Sequence, residues 1–310
     1  MPKNLLTLKE LSSTELASII DYAIELKKKY KRGERPELMK NKTLVMLFQK
    51  TSTRTRTSFE AGATQLGGHA IFLDWTTTQF KLGDIKDEAR CIDRYADIVM
   101  ARVLRHSDLL KMAEVMEKPL INGLCEKYHP CQTIADLQTM QEHLGSLKGK
   151  KAVYLGIANN VSNTLSLGCV KMGMHFTLCV PERHPISLDE GLLKEVKASG
   201  LYAEEKDPQK AVLDADVLYT DAWIDMELYL DPKFKDEKER RLKTFMPYQL
   251  GKGLLDLNKK ALIMHDLPAH RGFEIDDYAM NAGKSVIFDQ AENRLHAQKA
   301  ILVKLCQQQL

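Results

Sequence analysis

The chain lacks any apolar run near the length of a membrane span and any compositionally biased tract, so a membrane protein is not expected. It also lacks an excess of charge of one sign. Its 45 Lys and Arg stand against 42 Asp and Glu, and the basic residues are scattered apart from the short run Lys27-Lys28-Lys29. That is no footprint for nucleic acid, and any anion must be recognised locally. The six cysteines, at 91, 125, 131, 169, 179 and 306, form neither a CxxC pair nor a disulfide spacing. The opening residues MPKNLLTLKELSS have no charged-then-apolar signal layout. Both features point to a reduced, cytoplasmic protein. Two nucleotide signatures are missing as well: no Walker-type glycine loop occurs, and no GxGxxG follows a strand-like run, since "YLGIANN" has only the first glycine. A nucleoside triphosphate and a dinucleotide cofactor are thereby disfavoured.

What is present is enough chain for two domains of ordinary size, each with its own core. Ser12 followed by Glu15 has capping-box spacing, and Leu16, Ile19, Ile20, Ala23, Ile24 and Leu26 recur at helical intervals before the closing lysines. The pattern predicts an opening amphipathic helix. Short β-rich runs then alternate with helical patterns, at 43–48, 69–74, 97–102 and 118–123. Beyond a helical stretch from His129 to Leu144 and the connector GSLKGK, the alternation restarts at 151–158, 175–181, 216–221 and 261–268. Such alternation implies βα units on parallel sheets. The expected fold class is α/β, with two doubly wound parallel-sheet lobes. The first should span residues 1–138, with a carboxyl-terminal helix over 292–310 packing back on it; the second should span 139–291.

The first β-rich run ends at Leu47-Phe48, and "STRTRTSFE" (52–60) follows at the start of a helical pattern. In open α/β sheets ligands sit beyond the carboxyl ends of strands, where the next helix offers unpaired N–H groups and the positive end of its dipole. The hydroxyls of Ser52, Thr53 and Thr55 supply neutral donors, and Arg54 and Arg56 supply charged ones, matching the oxygens of a phosphate. Taken alone, the cluster also fits a solvated polar turn with good capping residues. With no nucleotide signature beside it, a small phosphorylated metabolite is the guest to expect.

Together with "MAR" (100–102), "HPCQTIAD" (129–136) and "HDLP" (265–268), this loop resembles the aspartate/ornithine carbamoyltransferase family, in order and spacing over essentially the whole chain. The resemblance implies transfer of a carbamoyl group from carbamoyl phosphate to an amine, with release of phosphate and no metal or other cofactor. It also implies an active site in the cleft between the lobes and a homotrimer or a multiple of it. The matching carbamoyl-phosphate residues are Ser52, Thr53, Arg54, Thr55, Arg102, His129, Gln132, Leu267 and Arg294. Among these, Arg102 and His129 would stabilise oxyanion charge, with Gln132 beside them. Arg54 and Arg294 would stabilise the leaving phosphate. Gln79 matches a residue that reaches the phosphate of a neighbouring subunit. Cys131 reads as a buried helix residue, because this chemistry needs no covalent intermediate.

The second lobe should choose the acceptor. "GIANNVSNTL" (156–165) and "TDAWIDM" (220–226) resemble the ornithine-type motifs more than the aspartate-type, whose acceptor loop is basic. Asn160 matches the asparagine that holds the α-carboxylate and Asp221 the aspartate that pairs with the α-ammonium, with Asp225 and Met226 in the same acceptor segment. Three departures from the family pattern stand out: Ile157 for an aspartate, Asp225-Met226-Glu227 for Ser-Met-Gly, and Asp266 for the cysteine of His-Cys-Leu-Pro. A carboxylate near the attacking amine can orient it and accept its proton, or can hold it as unreactive ammonium. Asp266 is therefore a candidate catalytic group. Ornithine is the expected acceptor. The open alternatives are putrescine, agmatine, lysine or another diamino acid, and a catalytically silent relative that only binds carbamoyl phosphate.

Overall fold

A computed structural model describes residues 1–224 and 232–307. They fall into two compact units, Met1–Glu142 with Glu292–Leu310, and His143–Ala291. The first unit opens with helix α1 (Ser13–Lys31), whose capping box is formed: the Ser12 hydroxyl accepts from the Glu15 N–H at 3.2 Å and the Glu15 carboxylate accepts from the Ser12 N–H at 2.8 Å. The alternation then runs β1 (Thr43–Phe48), α2 (Thr53–Gln65), β2 (His69–Asp74), α3 (Ile85–Asp93), β3 (Ile98–Arg102), α4 (His106–Val115), β4 (Leu120–Leu124) and α5 (Pro130–Leu144). All strand pairs are parallel, in the order β2-β1-β3-β4. β1 is buried from Leu44 to Phe48 without alternation, as a parallel strand covered on both faces must be.

The second unit contains β5 (Lys151–Ala158), α6 (Asn160–Lys171), β6 (His175–Arg183), α7 (Glu190–Ala198), β7 (Tyr202–Glu204), α8 (Pro208–Val212), β8 (Val217–Thr220), α9 (Lys235–Phe245), α10 (Lys252–Leu255), β9 (Leu262–His265) and α11 (Asp277–Met280). Its sheet is also wholly parallel, in the order β7-β6-β5-β8-β9. Tyr154 and Tyr219, paired in register, stack with centroids 5.5 Å apart at its centre. The last helix, α12 (Ile287–Cys306), starts five residues before the expected Glu292. Its later part packs on the first unit: Asn293 donates to the Thr139 hydroxyl at 2.9 Å and Lys299 to Gln65 at 3.0 Å.

Both sheets reverse direction at a strand with neighbours laid down on either side. In the first unit the chain moves from β1 outward to β2, then returns past β1 to add β3 and β4. In the second it moves from β5 to β6 and β7, then returns to add β8 and β9. Right-handed crossovers send the helices of the two halves to opposite faces, so the loops after the central strands diverge and open a crevice. The crevices lie after β1 and β3 in one unit, and after β5 and β8 in the other. Ser52 and Arg102 stand at the first, and Asn159 and Asp221 at the second.

Candidate active site

At the first crevice Ser52 is extended (φ −164°, ψ 106°) and caps α2, its hydroxyl accepting from the Thr55 N–H at 3.3 Å. The first turn of α2 carries no acidic residue, so the positive end of the helix is left to a ligand anion. Behind it Thr55 is buried and accepts from Arg294 Nη2 at 3.2 Å, while Arg294 Nη1 donates to Gln132 Oε1. Gln132 is fixed in turn by donating to Asp136 Oδ1 at 2.8 Å. One buried guanidinium, carried by α12, thus joins α2 and α5. Thr53 lies exposed at the helix mouth, and Arg56 is turned outward, bonded to Glu60 at 3.0 Å and stacked 3.6 Å over the Phe72 ring.

His129 precedes α5, its carbonyl accepting from the N–H groups of Gln132 and Thr133 at 3.1 and 3.2 Å. Its side chain is buried. Burial drives its pKa well below the usual 6.5, and the charges of Arg294, Arg102 and Arg54 add to the depression. The imidazole is neutral at neutral pH and can serve as a hydrogen-bond donor without delivering a full charge. Arg102 ends β3 opposite Phe48, and the ladder to β4 shifts register between Ala101 and Arg102. Such an irregularity re-aims a side chain at a sheet end. Cys131 is fully buried, and burial pushes its thiol up to about 12. It carries no thiolate and sits as an ordinary helix residue. Gln79 begins a short 3₁₀ turn, Gln79–Lys81, and is exposed.

At the second crevice Asn159 is the bridging residue. It caps α6, accepting from the N–H groups of Val161 and Ser162 at 3.0 and 3.1 Å, and donates to Asp221 Oδ2 at 2.6 Å. The Asp221 Oδ1 atom accepts from the Ala222 N–H at 2.6 Å. Asn160, the expected carboxylate holder, begins α6 with its own amide oxygen accepting from the Val161 N–H at 3.0 Å. Sequence reading passed over Asn159, although its spacing to Ser162 is that of a reciprocal cap, which the structure forms. Ile157 is core: it packs with Trp223, Ile224 and Phe245. Gly156 has φ +113°, and a β-carbon there would lie 2.8 Å from Trp223 Nε1. Asp225 and Met226 lie outside the described residues.

The loop after β9 completes this side. His265 is fully buried; its Nδ1 accepts from the Leu267 N–H at 2.8 Å, which leaves the proton on Nε2, 3.2 Å from Glu274 Oε1. Burial alone would push the Glu274 carboxyl up, but hydrogen bonds from His265 and His270 hold it at about 2. Leu267 adopts φ +61°, a conformation that costs a non-glycine residue about 1–2 kcal/mol and clusters at ligand sites. Asp266, with its side chain only 13% exposed, lies with Asp221 and His265 so that their donor atoms fall within 4.8 Å of one another. As a donor set for a metal this fits poorly, because His265 Nδ1 is already an acceptor for the Leu267 N–H.

A helix amino end with no acidic residue and with Arg294 bonded to its first turn, over one parallel sheet, and a cluster of Asp221, His265 and Asp266 over the other, characterise a two-domain α/β protein. More narrowly, the chain belongs to the aspartate/ornithine carbamoyltransferase family. Residues 3–142 match its model described as the carbamoyl-P binding domain, and residues 148–305 the one described as the Asp/Orn binding domain. Curated relatives include the ornithine carbamoyltransferase of Archaeoglobus fulgidus, 44% identical over 98% of this chain and 97% of that one. The anabolic ornithine carbamoyltransferase of Pyrococcus furiosus is 42% identical over 97% and 95%. Among solved structures, the ornithine carbamoyltransferase from Pyrococcus furiosus superposes with a TM-score of 0.89 at 42% identity, covering 96% of this chain and 95% of that chain. The enzyme from Thermus thermophilus gives 0.86 at 34% identity, covering 98% and 99%.

Proposed function

We infer that this protein is a carbamoyltransferase that moves the carbamoyl group of carbamoyl phosphate to ornithine, giving citrulline and phosphate. The observation that carries this reading is the convergence of Arg54, Arg102 and Arg294 on a buried neutral His129 beside the capped amino end of α2. Three guanidinium groups and a helix dipole in one place call for a multiply charged anion. Ser52, Thr53, Arg54 and Thr55 take the phosphate oxygens, with Arg102 and Arg294 reaching the same group. The carbamoyl carbonyl faces Arg102, His129 and Gln132. As the amine attacks the carbonyl carbon, negative charge moves onto the oxygen, where Arg102 and the neutral His129 stabilise it through preset hydrogen bonds. The carbon–oxygen bond to phosphate then breaks, Arg54 and Arg294 hold the departing anion, and the phosphate can take the proton shed by the amine.

On the acceptor side Asp221 holds the α-ammonium and Asn160 the α-carboxylate, with Asp225 and Met226 assigned to the same ligand and the backbone of Leu267 to the carbamoyl group. Asp221 and Asp266 make this site acidic, which suits a dicationic amino acid better than aspartate. Relatives 40–44% identical over nearly the whole chain bear the name ornithine carbamoyltransferase. Assembly as a homotrimer or a multiple of it, with Gln79 serving a neighbouring subunit's phosphate, and a cytoplasmic location belong to the same proposal. Supplying carbamoyl phosphate with ornithine, lysine, 2,4-diaminobutyrate, putrescine or agmatine, and following phosphate and ureido product, tests it. Ornithine should exceed each other amine by orders of magnitude in kcat/KM; a preference for a diamine would overturn the acceptor assignment.

A further inference from the structure

Gln49, the residue that follows β1, holds the end of the neighbouring strand. Its backbone N–H donates to the Arg102 carbonyl at 2.8 Å, which carries the ladder between β1 and β3 one step past its last pair, Phe48 with Arg102. Its side chain reaches further along the same strand end. Oε1 accepts from the Leu104 N–H at 2.5 Å, and Nε2 faces Asp108 Oδ2, in the first turn of α4, at 3.4 Å. The partners fix which way the amide points, because an N–H requires the oxygen and a carboxylate the nitrogen. On the opposite side the Val103 N–H donates to the Leu124 carbonyl at 2.9 Å, just beyond the register shift between Ala101 and Arg102. The two peptide planes that follow the Arg102 α-carbon are therefore both held, and Gln49 makes a bond to each. Gln49 also precedes Ser52, the cap of α2, by three residues. The residue that holds the end of β3 thus lies on the segment leading to the α2 helix mouth.

We propose that Gln49 is a positioning residue for Arg102, setting the direction of its guanidinium relative to the amino end of α2. The inference rests on the proposed reading of this crevice as the carbamoyl-phosphate site, in which Arg102 meets the phosphate and the carbamoyl oxygen. A strand end without side-chain support frays, and a long side chain turns a small rotation of its backbone into a large displacement of its tip. A misplacement of about 1 Å at a reacting group costs about 10²-fold in rate. Asp108 makes the position sensitive to charge. A carboxylate introduced at 49 keeps an acceptor for the Leu104 N–H but meets Asp108 as a like charge; Asp108→Asn removes that repulsion and supplies a donor.

The test is a double-mutant cycle with Arg102. Q49M keeps the length of the side chain and loses both of its hydrogen bonds. Calorimetric titration with inorganic phosphate is run on wild type, Q49M, R102M and Q49M/R102M, with kinetics on carbamoyl phosphate and ornithine alongside. Q49M should weaken phosphate affinity and lower kcat/KM by about tenfold. In the R102M background it should change phosphate affinity by less than about twofold, because no guanidinium remains to be positioned. Q49E should fall below wild type, and Q49E/D108N should recover to within about threefold of it. An equal loss in both backgrounds would make Gln49 a general support of the fold and overturn the proposal, as would a Q49M indistinguishable from wild type. Should Q49M not fold, Q49E against Q49E/D108N decides: equal affinities overturn the proposal. Wild type that shows this affinity pattern without forming citrulline refutes the acceptor reaction and leaves the positioning role standing. Wild type that binds no phosphate refutes the carbamoyl-phosphate reading and the proposal with it.

Discussion

At the scale of single residues, Arg294 ties α2 to α5. Its guanidinium donates to both Thr55 and Gln132 inside the protein, so truncation leaves two buried acceptors unserved and, on the proposed reading, removes a phosphate ligand. Arg294→Ala should lower kcat/KM for carbamoyl phosphate by about 10²–10³-fold. Arg294→Lys should recover only part of it, because an ammonium cannot reproduce the fork. Steady-state kinetics on both variants decides. A second residue makes the fold itself sensitive to pH. His296 is fully buried, and burial, then the charges of Lys299 and Lys27, lower its pKa to about 3. The unfolded imidazole titrates near 6.5, so between about 6.5 and about 3 the unfolded chain binds the extra proton and stability falls as pH falls. From pH 7.5 to 5 this group costs the wild type about 2 kcal/mol. His296→Asn should lose that part of the slope in urea denaturation curves at the two pH values. Much of the candidate site was proposed from the sequence at this scale, since Ser52, Arg102, His129 and Gln132 stand in dispersed motifs. Asn159 was not, because its neighbour Asn160 has the same chemistry and only the fold shows which of the two reaches Asp221.

At the scale of elements, two of the strands easiest to read, β1 and β5, are buried almost throughout, while the edge strand β2 has no buried residue and was legible from its apolar run Ala70–Leu73 alone. The runs at 43–48, 69–74 and 151–158 match β1, β2 and β5 residue for residue. Central strands of a parallel sheet need continuous apolar sequence, and that signal is strong. The three-residue edge strand β7, with two exposed residues, carries no such signal and was missed. Helix α12 begins earlier than expected because Ile287-Phe288 extends it beyond the stretch that packs on the first unit. The Gly156 position shows how a strand end is shaped around a site. Its φ of +113° and the 2.8 Å approach of Trp223 leave no room for a side chain. Gly156→Ala should destabilise the second unit by at least about 1–2 kcal/mol, read as a lowered midpoint in denaturant. Carbamoyl-phosphate binding, whose proposed contacts apart from Leu267 lie in the first unit, should be largely retained.

At the scale of the whole molecule, each unit has a crevice where its sheet reverses, and on the proposed reading the substrate chemistry divides between them: an anion on one sheet, an amino acid with a second amine on the other. No helix among the described residues is long and apolar enough to cross a membrane. If Gln79 serves a neighbouring subunit, an inactive Gln79→Ala chain and an inactive Arg54→Ala chain should restore each other. Mixed oligomers contain sites with Arg54 from one chain and Gln79 from the next, so mixing under subunit exchange should recover a fraction of wild-type activity. Independent sites would recover none. The measurement closest to the central claim is product analysis with ¹³C-labelled carbamoyl phosphate and ornithine. The account predicts labelled citrulline and phosphate in one-to-one ratio, with phosphate release dependent on ornithine and slowed in Arg294→Ala. Decay of carbamoyl phosphate at its uncatalysed rate, with no labelled citrulline, would contradict it.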